Sequence, residues 1–452
     1  MQAIVLAAGK STRMKSALSK LTFNLLGKRV VDYVYQAVSG LGTEKTVFVL
    51  GPHNFELELP PQVLRARQEQ PLGTGHAVLC ALQSGCLSKG EILILPGDIP
   101  LITADSLKIF VDCHRREQAD LSVLSTELPD AGSYGRIIRD KNGFHSIVEA
   151  RDATDRQKKI REINTGIYLI SLELLLQVID RIGTDNAQHE FYLTDIVNLC
   201  RKERKKACAF NLPDSADFIG VNTPLELAEA LRELKIRKNL QLSASGVIVL
   251  DPDTTYVDWD VQIGTGTVIM PGTVISGDTV IGEYNQIGPY TQIQSSRIGN
   301  RNQVQFSIVN GSVVSSDCQV GPFAHIRPGS RLEDTCKVGN FVELKKTRFS
   351  PGVKASHLSY IGDADVGVDT NIGAGTITCN YDGIRKNETK IGEHAFIGSN
   401  SSLVAPVTIG AHAYVGAGSV ITKDVPPYAL GLGREKQVNI EDWVRKKEKA
   451  KD

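Results

Sequence analysis

The sequence predicts an α/β domain followed by an all-β parallel β-helix. Three observations carry this: short apolar runs alternate with helical patterns up to about residue 222, the period changes to six after about residue 246, and 452 residues exceed what one hydrophobic core usually serves.

In the first part, AIVLAA, TVFVLG and EILILPGD read as strands, and VVDYVYQAVSGLG and GHAVLCALQSG as helices. Runs apolar at nearly every position suit strands covered on both faces, which predicts a largely parallel sheet with ligands at the carboxyl ends of its strands. LAAGKSTRM, from Leu6 to Met14, and LPGDIPL both lie at such ends. The first looks like a phosphate cradle but is not G-x-x-x-x-G-K-[ST], because no glycine stands five residues before Gly9.

TPLELAEALRELKIRKNLQ follows, with Thr223 as cap, Pro224 at the first helical position and Glu226 completing a capping box. A connecting helix over 223–245 is predicted, its leucines packing against a domain. The expected domains are therefore 1–222, this linker, and 246–452.

Beyond it, Ile263, Ile269, Ile275, Ile281, Ile287 and Ile293 are six apart, as are Val320, Ile326, Leu332, Val338 and Leu344, and again Ile391, Ile397, Leu403, Ile409, Val415 and Ile421. One inward aliphatic per six residues marks a parallel β-helix, whose coils bury one another's interior. Glycines after the aliphatic, as in Ile281-Gly282, Ile287-Gly288 and Ile397-Gly398, are expected at corners needing unusual backbone angles. The register slips at Ile298 and through KTRFSPGVKASHLSYIGDADVGVDTNIGAGTITCNYDGIRKN, where loops bearing a binding face are expected. The tail VRKKEKAKD reads as a solvated, frayed end.

Lys plus Arg and Asp plus Glu balance at 51 each, which argues against nucleic-acid binding or a membrane surface as the general role. The cysteines at 80, 86, 113, 200, 208, 318, 336 and 379 form no C-x-x-C pair, so buried, reduced thiols are expected. The N-terminus enters a strand directly and no stretch offers eighteen consecutive apolar residues, so a soluble cytoplasmic protein without membrane insertion is expected.

For chemistry, the first half offers Lys10, Arg13 and Lys20, a GTG turn at Gly73 to Gly75, and Asp98 at a strand end. Fixed cations stabilise charge on a transferring phosphoryl group while a carboxylate holds Mg²⁺, so phosphoryl or nucleotidyl transfer is expected. Each piece alone is commonplace. In the second half His357, in VKASHLSY beside Tyr360, could take a proton from an amine attacking a thioester, although a lone histidine is more often structural.

In order, L-A-A-G-K-x-T-R-M, Q-P-L-G-T-G-H-A, G-D-I-P-L, Y-G-R-I, I-V-E-A-R-D-A-T, E-I-N-T-G and G-V-N resemble the sugar-1-phosphate nucleotidyltransferases. The resemblance covers nearly the whole chain and is closest to the bacterial bifunctional N-acetylglucosamine-1-phosphate uridylyltransferase/glucosamine-1-phosphate acetyltransferase family. It implies a Rossmann-like nucleotidyltransferase domain joined to a left-handed β-helix of hexapeptide repeats. It further implies Leu6, Ala7, Ala8 and Gly9 along UTP, Arg13 and Lys20 as catalytic cations at the phosphates, and Gln68, Gly73 and Thr74 reading uracil. Asp98 and Asn222 would hold Mg²⁺, and Gly135, Glu149, Asn164 and Thr165 would surround N-acetylglucosamine.

R-P-G, N-F-V-E-L-K-K, H-L-S-Y, N-I-G-A-G-T and C-N-Y-D-G resemble the family's acetyltransferase site. That implies His357 as general base, Arg327 and Lys345 on the sugar phosphate, and Tyr360 and Asn371 orienting the sugar. Ala374, Asn380, Tyr381, Ser399, Ala417 and Arg434 would contact acetyl-CoA, with Lys386 near its phosphates and Cys379 assigned to packing. The implied chemistry acetylates glucosamine-1-phosphate and then converts N-acetylglucosamine-1-phosphate with UTP into UDP-N-acetylglucosamine, in a homotrimer whose acetyl-transfer sites neighbouring subunits complete.

The chain has Ser19 where the family usually has proline, Asn24 where a histidine is frequent, and Ser356 where glycine is common before His357. Loss of the proline restraint and a shifted loop are the expectations at Ser19 and Ser356. Two other readings stay open from sequence: a nucleotidyltransferase that uses its β-helix only for oligomerisation or regulation, and a non-catalytic assembly subunit.

Overall fold

Strands apolar at every position need cover on both sides, and the first unit supplies it. In the computed structural model, which describes residues 1–448 other than 17, 142 and 214, Ile4, Val47, Val49, Ile92 and Ile94 pack to one side of a sheet. Their neighbours Ala3, Val5, Phe48, Leu50, Leu93 and Leu95 pack to the other. Ala77, Val78 and Ala81 of helix Thr74–Gln83 and Ile196 and Val197 of helix Ile196–Lys202 cover the first side. Val31, Val34 and Val38 of helix Val30–Gly40 and Leu107 and Phe110 of helix Ala104–Arg116 cover the second.

From one edge the strands run Ala207–Asn211, Leu121–Glu127, Glu162–Ser171, Glu91–Pro96, Gln2–Ala7, Thr46–Leu50 and Leu64–Arg67. All pairs are parallel except those of Glu162–Ser171, which is antiparallel to both neighbours. This departs from the parallel expectation because the hairpin Arg136–Asp140/Gly143–Val148 precedes that strand and returns the chain in the opposite sense. The carboxyl ends of Gln2–Ala7 and Glu91–Pro96 lie side by side, with Leu6 opposite Pro96.

Thr223 and Glu226 form the reciprocal box that starts helix Pro224–Ala244: the Glu226 amide donates to Thr223 Oγ1 at 3.2 Å, and the Thr223 amide to Glu226 Oε2 at 2.8 Å. The chain divides into compact units 1–234 and 235–452, inside this helix. Among the described residues no helix is long and apolar enough to cross a membrane.

The second unit is a left-handed parallel β-helix of three stacked sheets, with 11, 10 and 9 strands. Interior aliphatics stack coil upon coil, as Ile269 on Ile287, Ile287 on Val304 and Val304 on Val320. The step along the chain varies: Val268 pairs with Gln286, Gln286 with Gln303, and Gln303 with Gln319, so slips near Ile298 are absorbed by shortened corners. Most of the long interruption predicted from Lys346 to Asn387 also stays in the helix. Lys337, Lys354 and Asn371 remain in register, and only between Asn371 and Phe396 does the coil lengthen, by a loop near Tyr381–Lys386.

Glycine placement departs from expectation. Gly282 and Gly398 do not hold positive φ; a Cβ at Gly282 would lie 2.6 Å from the Gly299 carbonyl oxygen, and one at Gly398 2.4 Å from the Ala417 nitrogen. Close approach of the next coil, not backbone angle, therefore explains both. Gly288, at φ 103°, fits the original reasoning. Several left-handed corners are instead held by Tyr290, Phe306, Phe323 and Phe341. Their rings form a ladder with centroids 5.8, 5.7 and 5.4 Å apart. Tyr290, Phe323 and Phe341 are exposed.

All eight cysteines are free, with Cys200, Cys318 and Cys336 buried and the others half-buried. The last described part of the basic tail is the exposed helix Trp443–Glu448; the remainder, 449–452, lies outside the described residues.

Candidate active sites

At the carboxyl ends of the central strands of the first unit lies a cleft of about 480 Å³. Leu6, Ala7, Ala8, Gly9, Lys20, Gln68, Gly73, Thr74, Asp98, Gly135, Glu149, Asn164 and Thr165 all line it. Gly73 caps helix Thr74–Gln83 at φ 107°, so the GTG segment opens a helix rather than forming a free turn. A Cβ on Gly73 would lie 2.6 Å from the Phe191 oxygen. The Gly75 amide donates to that same oxygen at 2.8 Å, and the Leu193 amide to Thr74 Oγ1 at 3.1 Å, so this cleft wall is stitched to the segment after Glu190.

Lys20 Nζ donates to Asp98 Oδ2 and, at 2.6 Å, to Asn222 Oδ1. These residues are distant in sequence, yet their oxygens converge on one cation. Asn222 is itself held by Glu226, whose Oε2 accepts from the Asn222 amide at 2.7 Å. The capping box of the helix thus anchors a candidate metal ligand. Arg13 does not line the cleft; it is exposed on the turn Thr12–Met14. Lys10 is exposed as well.

Glu149 makes no ion pair among the described residues and takes a hydrogen bond from Thr194 Oγ1 at 3.3 Å. Burial pushes its pKa up; Thr194 opposes this, while Asp152, Asp195 and Glu190 add to it. Asn164 sits where strand Glu162–Ser171 bulges, donating to Tyr168 Oη at 2.8 Å and accepting from the Gly166 amide at 3.0 Å. Both side chains stay on the cleft wall.

Sequence reasoning missed Tyr134, Glu190 and Thr194, which also line the cleft. Tyr134 Oη accepts from the Gly220 amide at 3.0 Å. The run E-F-Y-L-T-D from Glu190 was the available signal: an acid and a hydroxyl immediately before a helical pattern.

In the second unit, His357 ends the strand Lys354–His357 at a corner of the β-helix. Ser356 therefore lies in a strand, and no loop is there to shift. The ring Nδ1 is 2.5 Å from Asn340 Oδ1, which can only accept, so Nδ1 carries a hydrogen and, in the neutral ring, Nε2 is the nitrogen with the lone pair. Asn340 pairs with His357 one coil earlier. It was missed from sequence, though the coil repeat pointed to it.

Coil stacking continues this corner through Ala374, Ser399 and Ala417: the Asn400 amide donates to the Ala374 carbonyl and the Gly418 amide to that of Ser399. Across the corner, Arg327 Nη1 donates to Glu343 Oε1 at 2.7 Å, and Glu343 is in register with Tyr360. Lys386, and then Arg327, crowd the Lys345 ammonium and lower its pKa. Lys386, expected near the acetyl-CoA phosphates, therefore stands beside Lys345 in the single chain. A Cβ on Gly362 would lie 2.6 Å from Tyr360 Oη and 2.8 Å from Asn380 Nδ2, so the bare glycine lets these two groups approach.

Asn380 Nδ2 donates to Asp363 Oδ2 at 2.5 Å, and Tyr381 Oη to the Gly383 carbonyl at 2.6 Å. Asn371 lies on a different sheet from Tyr360. Arg434 is exposed beyond the strand Leu430–Gly431. Neither is brought into the cation cluster of the single chain. Cys379 is half-buried at the end of the strand Ile377–Cys379, not in the core.

Residues 3–141 match the family described as MobA-like NTP transferase domain. Residues 260–295 and 388–423 match that described as bacterial transferase hexapeptide (six repeats). Fold and sites thus define a nucleotidyltransferase joined to a hexapeptide-repeat transferase in one polypeptide. The chain is 48% identical to the bifunctional protein GlmU of Thermotoga petrophila, over 99% of this chain and 100% of that one. It is 44% identical to the protein of the same name from Pelobacter propionicus, over 99% of each. The corresponding figures for Geobacillus thermodenitrificans are 45%, 98% and 97%. The chain belongs to the bifunctional GlmU family and is an enzyme with two activities, uridylyl transfer and acetyl transfer.

Proposed function

We propose that the β-helix N-acetylates glucosamine-1-phosphate with acetyl-CoA, and that the α/β unit then joins N-acetylglucosamine-1-phosphate to the uridylyl group of UTP. The observation that carries this is the survival of both constellations in one chain: Lys20, Asp98 and Asn222 converging in one unit, and His357 with Asn340 in the other.

In the first step the sugar amine attacks the thioester carbonyl, His357 Nε2 accepts the amine proton, and the C–S bond breaks to release the CoA thiolate, which is then protonated. Arg327 and Lys345 receive the sugar phosphate, Tyr360 and Asn371 orient the sugar, and Lys386 serves the phosphates of acetyl-CoA. The corner of Ala374, Ser399 and Ala417, with Asn380, Tyr381 and Arg434, takes acetyl-CoA.

In the second step a phosphate oxygen of N-acetylglucosamine-1-phosphate attacks the α-phosphorus of UTP and the bond to pyrophosphate breaks. No protein nucleophile is required, because the attacking oxygen is already anionic, so positioning and charge neutralisation suffice. Asp98 and Asn222 fit Mg²⁺, since both present hard oxygens that already share the Lys20 ammonium. The ion, when bound, neutralises charge on phosphate oxygens. Leu6 to Gly9 lie along the nucleotide, Arg13 and Lys20 offer cationic charge to the phosphates, and Gln68, Gly73 and Thr74 read the base. Gly135, Glu149, Asn164 and Thr165 enclose the sugar.

The ladder Tyr290, Phe306, Phe323 and Phe341, exposed except for the half-buried Phe306, ends beside Asn340 and supports a homotrimer in which a neighbouring copy completes the acetyl-transfer site. The enzyme is cytoplasmic on this reading and takes small-molecule substrates, with no nucleic-acid partner. The test is an assay of each half-reaction. Asp98→Ala should lower uridylyl transfer at least a hundredfold and spare acetyl transfer, and His357→Ala should do the reverse. Loss of both activities in either folded variant would contradict independent sites.

A further inference from the structure

Behind the cleft wall, His76 lies on the first turns of helix Thr74–Gln83 and lines a separate cavity of about 90 Å³ with Leu79, Ile182 and Phe191. Its Nδ1 is 3.0 Å from Gln68 Nε2, and the same amide nitrogen donates to the Gly73 carbonyl at 3.1 Å. A backbone carbonyl can only accept, so the nitrogen end of the Gln68 amide must face Gly73 and His76 must accept at Nδ1. Both amide hydrogens are then used. Gln68 is 4% exposed and lines the cleft, and its Oε1 accepts no hydrogen bond from the described residues.

We propose that His76 is a positioning residue that sets base selectivity by holding the Gln68 amide with its oxygen presented to the nucleobase. The inference rests on the reading of Gln68 as a base-contacting residue. A fixed acceptor matches the N3–H of uracil and opposes the bare N3 of cytosine. Without His76 the Gly73 carbonyl is the one hydrogen-bond partner left to the amide nitrogen among the described residues, so the amide turns more readily and its nitrogen can then serve cytosine.

The test measures binding of UTP and CTP by calorimetry, alongside UDP-N-acetylglucosamine formation, in the full-length wild type, His76→Leu and His76→Asn. Asparagine carries an acceptor two bonds from Cβ, as Nδ1 is. The wild type should prefer UTP. His76→Leu should shrink the UTP/CTP affinity ratio about tenfold, the scale of one oriented hydrogen bond. Turnover at saturating UTP should stay within about twofold, and His76→Asn should recover most of the ratio.

In a Gln68→Leu background, adding His76→Leu should change the ratio no further, which tests the coupling even where the single variant folds poorly. An unchanged ratio in His76→Leu, equal weakening of both nucleotides without recovery by asparagine, or no UTP preference in the wild type overturns the proposal. A wild type that binds UTP selectively yet forms no UDP-N-acetylglucosamine sinks the catalytic reading instead, and the binding ratios still decide the role of His76.

Discussion

Ser19 stands where the family usually has proline, and the structure gives it φ −64°, the value a proline ring would impose. The missing restraint is replaced by a cap: Ser19 Oγ accepts from the Leu21 amide at 3.3 Å. Ser19→Pro should therefore exchange one stabilising device for another, shifting stability by no more than about 1 kcal/mol. Chemical denaturation checks this, with uridylyl transfer kept within about threefold. Glu149 gives the second expectation at this scale. Its folded-state pKa is raised, so the stability tied to its neutral form is full below the ordinary carboxylate pKa and is lost as pH rises through the folded value. Glu149→Gln should gain on the wild type as pH rises through that interval, and then hold a constant lead. A pH-independent difference in denaturation midpoint would contradict it. Strand-end position marked Asp98, and the family resemblance added Asn222 and the role of Lys20, but neither showed that one ammonium joins them, since that depends on distant segments meeting in space.

Elements were legible in proportion to their periodicity. Hexapeptide aliphatics and the Thr223/Glu226 box declare themselves because each repeats or caps a local pattern. The antiparallel strand Glu162–Ser171 did not, because a buried apolar strand reads the same in either direction. Nor did the reason for Gly398, whose missing Cβ makes room for the next coil. Gly398→Ala would press a methyl group against the Ala417 nitrogen at 2.4 Å and the Val415 oxygen at 2.6 Å, backbone atoms that cannot step aside. We expect a loss of about 2 kcal/mol or more, together with reduced acetyl transfer and intact uridylyl transfer. Unchanged melting of the β-helix would refute the packing argument.

For the whole molecule, the division into two units separates two chemistries, and length alone could announce only that more than one core was present. The exposed aromatic ladder was invisible to a reading that looked for inward aliphatics, because it occupies corners between the periodic positions. Phe341, 57% exposed and stacked on Phe323 at 5.4 Å, is the place to test assembly. Phe341→Asp should shift sedimentation toward the monomer and cut acetyl transfer at least tenfold, leaving uridylyl transfer within about twofold. A variant that stays fully associated would remove the ladder from the interface.

The corner running from His357 through Ala374 and Ser399 to Ala417 advances one coil per step. At the usual strand spacing, those three steps measure about 14 Å. If this corner takes acetyl-CoA as proposed, the β-helix is a graduated scale that grips an extended thioester carrier at fixed marks and delivers its reactive end to the zero. Inserting one coil between Ala374 and Ala417 would leave every side chain of the site intact and misplace the carrier by about 5 Å. Chain length between two marks, and not only residue identity, would thus be under selection.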